Sequence, residues 1–314
     1  MPIRSLQGDF PLENIEFLNT LNPPARRKEI HIMVIKIALV IFIWLSSLAP
    51  SNAAEDISFK GTSKSPSGET LTLTGKLLKP QGNGPFPAVI LMHTCDVTLT
   101  AHSYSWAEKI SSWGYVTLVL DSFTPRGEKN ICDRLYVVPF DVRATDAFDA
   151  KAYLAGLPFV NRSKVALIGW SHGGCAALAS VSQANLSKMF NDFGGAAARG
   201  DSPQLSNYLK ESGPFQAVIA FYSWCAAGLD DSESPLLILN GEKDTGQPPA
   251  ICQLKVPIKK TKHEVTLKIY PGATHAFDID QPDVVKNGHK LSYDPKATAD
   301  ATKRVKSFLA KYLK

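Results

Sequence analysis

The chain has few cysteines and no long run of basic residues, and each shortage excludes a class of protein. Five cysteines in 314 residues are too few for a small disulfide-built scaffold, and no two of them are spaced as Cys-x-x-Cys. A structural zinc site is therefore not expected, and we predict no metal site. Lys and Arg (34) barely outnumber Asp and Glu (29), and these charges are spread along the chain. Nucleic-acid binding is accordingly not indicated.

The sequence also lacks an apolar run long enough to span a membrane. Its most apolar stretch, residues 37–49, is shorter than the about 20 residues that a spanning helix needs. A lysine precedes this stretch and small residues around Ala53 follow it, which is typical of a cleaved secretory signal peptide. We therefore interpret residues 1–53 as an upstream segment and signal peptide, with Met33 a better candidate for the true start than Met1.

This interpretation predicts a location and a set of partners. The mature protein, beginning at residue 54, should be exported to the periplasm or secreted, with no stable membrane partner after cleavage. An uncleaved N-terminal membrane anchor is the alternative. A small-molecule substrate is the expected partner.

Residues 54–314 are predicted to form a single α/β domain. Continuous apolar runs that suit strands buried on both faces alternate with helix-like stretches, which implies a mostly parallel sheet covered by helices on both faces. Residues 183–213 interrupt this alternation, and we expect them to form a cap or excursion. The predicted buried strands are residues 87–92, 115–120, 165–168, 217–220 and 236–239. Ligands of such sheets gather at the carboxyl ends of the strands.

The strongest motif follows the third of these runs. Residues 169–174 read Gly-Trp-Ser-His-Gly-Gly, which fits the G-x-S-x-G pattern. The pattern stands between an apolar strand and a helix-like stretch, the context of a nucleophile elbow, in which a strained turn exposes the serine hydroxyl. Ser171 is therefore the predicted nucleophile, and the α/β-hydrolase fold is the predicted fold.

A serine nucleophile needs a base, and the base needs a carboxylate that orients it. In this fold both lie downstream of the serine, the acid before the histidine. His275 stands in a turn after the strand-like run 265–270 and is the predicted base. Asp244 follows the run 236–239 by a few residues and is the predicted acid, with Glu242 as its nearest rival.

The tetrahedral intermediate of acyl transfer needs two N–H donors for its oxyanion. The backbone N–H of the residue after the nucleophile, His172, is expected to supply one. The loop after the first buried strand should supply the other, and we predict the backbone N–H of Cys95.

These motifs resemble those of the dienelactone hydrolase family. The shared features are a strand ending in His93 before the oxyanion loop, a G-x-[SC]-x-G-G elbow, an aspartate in the Gly-x-x-Asp context of residues 241–244, and a late histidine. Residues 121–127 look like the exported branch of the family, and the resemblance covers most of residues 87–314. Members that open dienelactones have a cysteine nucleophile and a glutamate at the position of Thr94. The resemblance therefore implies ester hydrolysis in general.

The predicted function is that of a serine hydrolase that cleaves carboxylic esters through an acyl-enzyme, without a cofactor. A cutinase-like polyester hydrolase or a peptidase is the alternative among enzymes, because the same elbow occurs there. A non-catalytic binding protein of the α/β-hydrolase fold is the alternative of another class. A complete triad in the right order argues against it.

Four further side chains are candidates for substrate binding. Trp170, Tyr222 and Trp224 could line an acyl or alcohol pocket, although Trp170 could equally pack the elbow. Arg126 could hold a substrate carboxylate through its planar fork. The commoner use of an arginine in such a loop is to tie the loop down.

The cysteines are expected to pair, because an oxidising compartment permits disulfides. Cys95 and Cys132 lie in loops that share the carboxyl edge of the predicted sheet, and we predict a bridge between them. Cys225 and Cys252 lie at the same edge and form the second predicted pair. Cys175 follows the elbow in a buried helix and is the predicted free thiol.

Overall fold

The computed structural model describes residues 54–64, 68–97, 100–192, 205–256 and 261–314, which all belong to one compact unit. The predicted signal peptide and its cleavage site lie outside the described residues and stay predictions. None of the helices within these ranges is both long and apolar enough to cross a membrane.

Eight strands form a sheet with the order β1-β2-β4-β3-β5-β6-β7-β8. The β1–β2 and β2–β4 pairs are antiparallel, and all other pairs in the sheet are parallel. A short antiparallel hairpin of β9 and β10 stands apart from it. The strands are β1 (Glu55–Lys64), β2 (Thr70–Leu78), β3 (Phe86–Met92), β4 (Val116–Asp121), β5 (Val160–Trp170), β6 (Ala217–Phe221), β7 (Leu236–Gly241), β8 (Val265–Tyr270), β9 (Val284–Lys286) and β10 (His289–Leu291).

Helices cover both faces of the sheet, so each central strand is apolar on both sides. Along β3, Ile90 faces one core with α2 and α3, whereas its neighbours Val89 and Leu91 face the other core with α1 and α7. This explains the continuous apolar runs in the sequence, since successive side chains of a strand point to opposite faces. The helices are α1 (Thr100–Ser112), α2 (Phe140–Ala155), α3 (His172–Ala179), α4 (Gln183–Asp192), α5 (Leu205–Ser212), α6 (Pro249–Lys255) and α7 (Pro295–Leu313).

The segment 183–213, predicted to be a cap or excursion, contains helices α4 and α5. These helices bury Leu186, Met189 and Leu205 in the core on the face of α2 and α3. Residues 193–204 lie outside the described residues, and the cap over 183–213 stays a prediction.

The register of the parallel strands brings the loops that carry the predicted site together. Met92 at the end of β3 pairs with Gly169 of β5, and Trp170 of β5 pairs with Phe221 of β6. Gly241 of β7 pairs with Tyr270 of β8. The loops after these strands consequently meet at one edge of the sheet, where parallel α/β proteins bind ligands.

Candidate active site

Ser171 occupies a strained turn between β5 and α3. Its φ of 52° and ψ of −115° lie in a region that non-glycine residues rarely adopt. Gly173 makes room for this turn, because a Cβ there would lie only 2.3 Å from the carbonyl oxygen of Met92. The Ser171 N–H donates to the carbonyl of Phe221 at 3.0 Å. The turn thus lies close against β3 and is hydrogen-bonded to the end of β6, the two strands next to β5, as expected for a nucleophile elbow.

A continuous chain of hydrogen bonds links the three predicted catalytic side chains. His275 Nε2 lies 3.0 Å from Ser171 Oγ, and His275 Nδ1 lies 2.7 Å from Asp244 Oδ2. Asp244 is buried, and its other carboxylate oxygen accepts the Gln247 N–H at 2.7 Å. Each carboxylate oxygen of Asp244 thus takes part in a hydrogen bond, which fixes the orientation of the side chain. Asp244 can therefore hold the imidazole of His275 with Nε2 toward Ser171.

Glu242, the rival candidate for the acid, is engaged elsewhere. Its carboxylate accepts the backbone N–H of Gly272 at 2.8 Å. The loops of Asp244 and His275 also approach each other through backbone: a Cβ on Gly241 would lie 2.5 Å from the Ala273 carbonyl oxygen. This close approach brings Asp244, and not Glu242, behind the imidazole of His275.

The predicted oxyanion donors flank the nucleophile. His172 is the first residue of α3, and the first N–H groups of a helix have no partner within the helix. The helix dipole also favours negative charge at this end. Cys95 lies in the loop after β3 and lines the same pocket as Ser171. The two N–H groups stay the predicted oxyanion donors.

A cavity of about 830 Å³ opens beside Ser171 and His275. Cavities of roughly 300–1,000 Å³ suit small molecules. The loops after β3 and β4 form one wall, and the β9–β10 hairpin forms the other. The apolar residues that line the cavity include Leu135, Ile279 and Leu291. No three histidine, cysteine or carboxylate side chains in the described ranges come together as metal ligands, and a cofactor-free site stays a prediction.

Of the predicted substrate-binding aromatics, the structure brings only Tyr222 to the pocket. Trp170 is fully buried in the core on the side of α1 and α7, because it faces away from the elbow at the end of β5. Trp224 packs against the opposite core, and its backbone N–H donates to Cys175 Sγ at 3.3 Å. A pocket-lining role for Trp170 and Trp224 was therefore the wrong interpretation.

Arg126 does not line the pocket either. Its guanidinium donates to both carboxylate oxygens of Asp146, at 2.8 and 2.9 Å, and to the carbonyl of Ser122 at 2.6 Å. This fork ties the loop after β4 to helix α2. The substrate-carboxylate role is corrected to the structural alternative.

Asp278 is a residue whose place in the site the sequence did not reveal. Its fully buried carboxylate accepts four hydrogen bonds: Oδ2 from His102 (3.0 Å), Trp106 (3.0 Å) and Trp170 (3.1 Å), and Oδ1 from the Tyr222 hydroxyl (3.0 Å). Burial by itself raises the pKa of Asp278, but His102 and the donors around it hold that pKa below its usual value. The only signal in the sequence is an aspartate three residues after the base.

This carboxylate connects the nucleophile elbow to the loop of the base. Trp170 directly precedes Ser171, and Tyr222 packs its ring edge-on against the imidazole of His275, with centroids 4.7 Å apart. Tyr222 also has a positive φ of 35°. Burial and the neighbouring Asp278 raise the pKa of Tyr222 well above its usual value, so its hydroxyl stays a donor.

Both predicted disulfides are present, and the pairing is confirmed. Cys95 is bonded to Cys132 and Cys225 to Cys252, and Cys175 is a buried free thiol. The first bridge joins the predicted oxyanion loop to the loop that forms the pocket wall.

The sequence model of the dienelactone hydrolase family matches residues 73–313. The chain belongs to the dienelactone hydrolase family. The matched region contains Ser171, Asp244 and His275 as well as all five cysteines.

A relative from Saccharolobus solfataricus, provisionally named a carboxymethylenebutenolidase, is 35% identical over 104 residues. That match covers 32% of this chain and 37% of the relative, so it spans little more than a third of the relative's length.

Solved structures of the same fold include family members and an esterase. A dienelactone hydrolase from Anabaena variabilis has a TM-score of 0.53 and 20% identity, covering 83% of this chain and 99% of that chain. A dienelactone hydrolase-like promiscuous phosphotriesterase from metagenomic libraries has a TM-score of 0.59 and 18% identity, covering 83% and 100%. Esterase 2 of Thermogutta terrifontis has a TM-score of 0.55 and 16% identity, covering 83% and 94%. The fold of this chain is the α/β-hydrolase fold.

Proposed function

We propose that this dienelactone hydrolase family member is a serine hydrolase that cleaves carboxylic esters through an acyl-enzyme. The observation that carries the proposal is the hydrogen-bonded chain from Ser171 through His275 to Asp244, at 3.0 and 2.7 Å, in a pocket of small-molecule size. The names of its relatives agree with ester hydrolysis, although a shared fold alone does not determine function.

The reaction begins when His275 Nε2 accepts the hydroxyl proton of Ser171 as the oxygen attacks the ester carbonyl carbon. The carbonyl oxygen becomes an oxyanion, which accepts hydrogen bonds from the N–H groups of His172 and Cys95. Asp244 holds Nδ1–H and stabilises the imidazolium. The intermediate collapses as His275 returns the proton to the departing alcohol.

Hydrolysis of the acyl-enzyme repeats these roles with water. His275 deprotonates a water molecule that attacks the acyl carbon, and the same N–H groups hold the second oxyanion. Collapse releases the carboxylic acid, and Ser171 recovers its proton from His275. Each proton is returned within the cycle, so the steps need no cofactor.

A fluorophosphonate probe tests the proposal directly. We expect the wild-type protein to be labelled at Ser171 and to hydrolyse p-nitrophenyl esters, and the Ser171→Ala variant to do neither. A panel of esters of graded acyl length, run beside a polyester film and a peptide amide, separates small-ester hydrolysis from the cutinase-like and peptidase alternatives. Ligand binding without labelling or turnover would identify a non-catalytic binding protein instead.

A further inference from the structure

Arg143 is a fully buried cation on helix α2. The described residues supply its guanidinium with no ion-pair partner: its hydrogen bonds end on two backbone carbonyls and one imidazole. Burial lowers the pKa of Arg143 to about 9, so the group is still charged at neutral pH. Asp146 and Asp121 favour the charged form from beyond ion-pair distance, and the guanidinium lies over the Phe123 ring at 4.8 Å. Burying a charge without a direct ion-pair partner is still costly, and this cost needs an explanation.

The two carbonyls belong to the loop that carries the proposed oxyanion donor. Arg143 Nη2 donates to the carbonyl of His93 at 2.8 Å, and Nη1 donates to that of Thr94 at 3.3 Å. The Thr94 carbonyl and the Cys95 N–H are parts of one planar peptide unit, and in a trans peptide they point in opposite directions. A guanidinium that fixes the carbonyl on one side therefore aims the N–H on the other.

The third contact of Arg143 is with His172, the residue whose backbone N–H is the other proposed oxyanion donor. Arg143 Nη1 lies 2.9 Å from His172 Nδ1. Arginine can only donate, so Nδ1 must be the acceptor, and the proton of the ring is on Nε2, which donates to the carbonyl of Leu135 at 3.1 Å. Burial and the Arg143 charge lower the pKa of His172 well below its usual value, in keeping with a neutral ring.

We propose that Arg143 is the positioning residue of the oxyanion hole, holding the Thr94–Cys95 peptide and the start of α3 at a fixed separation. This inference rests on the proposed function. The His172 ring extends the same arrangement to Leu135 in the pocket wall. The guanidinium charge also polarises the peptide whose N–H faces the oxyanion, which strengthens that donor.

The consequence is a defect in turnover and not in substrate binding. The oxyanion exists only in the transition state and the intermediate, so misplaced donors lower kcat and leave KM almost unchanged. Deleting one donor outright lowers kcat by about 10²–10³. A donor that is displaced but still present should lower kcat by a smaller factor. We therefore expect about a ten- to hundredfold drop in kcat for Arg143→Lys, with KM within about threefold of wild type.

Lys151 provides a matched control on the same helix. It is also a buried cation, and it donates to three backbone carbonyls, those of residues 212–214, at 2.6 to 2.8 Å. Among the described residues, its hydrogen bonds all end in this segment and none reaches the oxyanion loop. Lys151→Met should lower the melting temperature but retain kcat, whereas Arg143→Lys should lower kcat when both are assayed well below their melting temperatures.

A transition-state analogue separates positioning from general damage to the fold. An aryl boronic acid that adds to Ser171 should bind Arg143→Lys more weakly by the same factor as kcat falls, while the product carboxylate should bind as to wild type. The His172 side chain gives a second pair: His172→Asn offers Arg143 an acceptor and His172→Phe does not, and both keep the backbone N–H. We expect the Asn variant to retain more kcat than the Phe variant.

The outcomes distinguish this inference from the proposed function. Wild-type kcat in Arg143→Lys, or an equal loss in Lys151→Met, overturns the role of Arg143 while ester hydrolysis stands. If Arg143→Lys does not fold, the His172 pair decides, and equal kcat values there overturn the inference. A wild-type protein that neither labels nor hydrolyses esters removes the proposed function itself.

Discussion

At the scale of single residues, the site shows which side chains a sequence can identify and which it cannot. Ser171, Asp244 and His275 follow recognisable strand ends, and the structure brings them within hydrogen-bonding distance. Arg126 follows β4 and Trp170 ends β5, but their partners Asp146 and Asp278 lie 20 and 108 residues further along the chain. Motif spacing could indicate the first group because fold rules fix their order. The second group depends on tertiary contacts that leave no local pattern.

The first prediction concerns the proposed triad. Ser171→Ala and His275→Ala should each lower kcat for an activated ester by several powers of ten with the fold intact. Asp244→Asn should lower kcat less than either of these, because the base His275 is still present, although in the wrong orientation. Glu242→Gln is the control and should keep kcat near wild type, because that carboxylate holds only the Gly272 N–H. Wild-type turnover in Asp244→Asn would contradict the assignment of the acid.

The second prediction concerns the free thiol. Burial raises the pKa of Cys175 to about 12, and the thiolate is the reactive form. Iodoacetamide at pH 8 should therefore leave the native protein unmodified and alkylate one cysteine per chain in denaturant without reductant. Denaturant with reductant should expose all five. Mass spectrometry of the peptides checks both numbers, and alkylated Cys95 in the unreduced sample would contradict the disulfide pairing.

At the scale of elements, continuous apolar runs predicted the buried strands, because a parallel strand covered on both faces has no polar side. The strand β5 was predicted at residues 165–168 but spans Val160–Trp170, since its first half is partly exposed and mixed in polarity. The β9–β10 hairpin was missed, because two three-residue strands are too short for a periodic pattern. That hairpin forms a pocket wall, so the sequence could not reveal the pocket's shape.

The third prediction concerns the cluster around Asp278, which joins α1, the end of β5 and the end of β6. Asp278→Ala leaves four donors without their acceptor, and unfolding in urea should show a loss of about 3–5 kcal/mol. Asp278→Asn should lose less of the free energy of unfolding. Its side-chain oxygen can still accept hydrogen bonds, and its NH₂ group can donate to the Tyr222 hydroxyl. The exposed Asp283, which contacts Ser292 and Lys290, is the control. Asp283→Asn should change stability by about 0.5 kcal/mol or less.

At the scale of the whole molecule, the two disulfides are typical of a protein that folds and stays in an oxidising compartment. We propose that the protein is exported, and the fourth prediction is that its mature N-terminus lies near Ala54. Mass spectrometry of protein released from the periplasm or the medium checks it. Recovery with membranes only, with residues 37–49 still attached, would favour an N-terminal anchor.

The fifth prediction concerns stability in acid. Burial, followed by the charge of Arg143, lowers the pKa of both His93 and His172 well below 6.5. Below that pH the unfolded chain binds protons that the native protein does not, so the free energy of unfolding falls as pH decreases. The slope should reach about 1.4 kcal/mol per pH unit for each histidine.

Asp278 extends this loss to lower pH. Its pKa in the native protein is below the unfolded value of 3.8, so its stabilisation is present above that value and disappears as pH falls through the native pKa. Urea unfolding at pH 7, 6, 5, 4 and 3 measures the combined effect. His172→Asn removes one of the two buried rings and should make the slope between pH 6 and 5 smaller. Burial raises the pKa of Asp149 to about 6, so this carboxyl contributes in the opposite direction in the same window and leaves a net loss of stability. An unfolding free energy that stays constant from pH 7 to 5 would show that the two rings are not buried in their neutral forms.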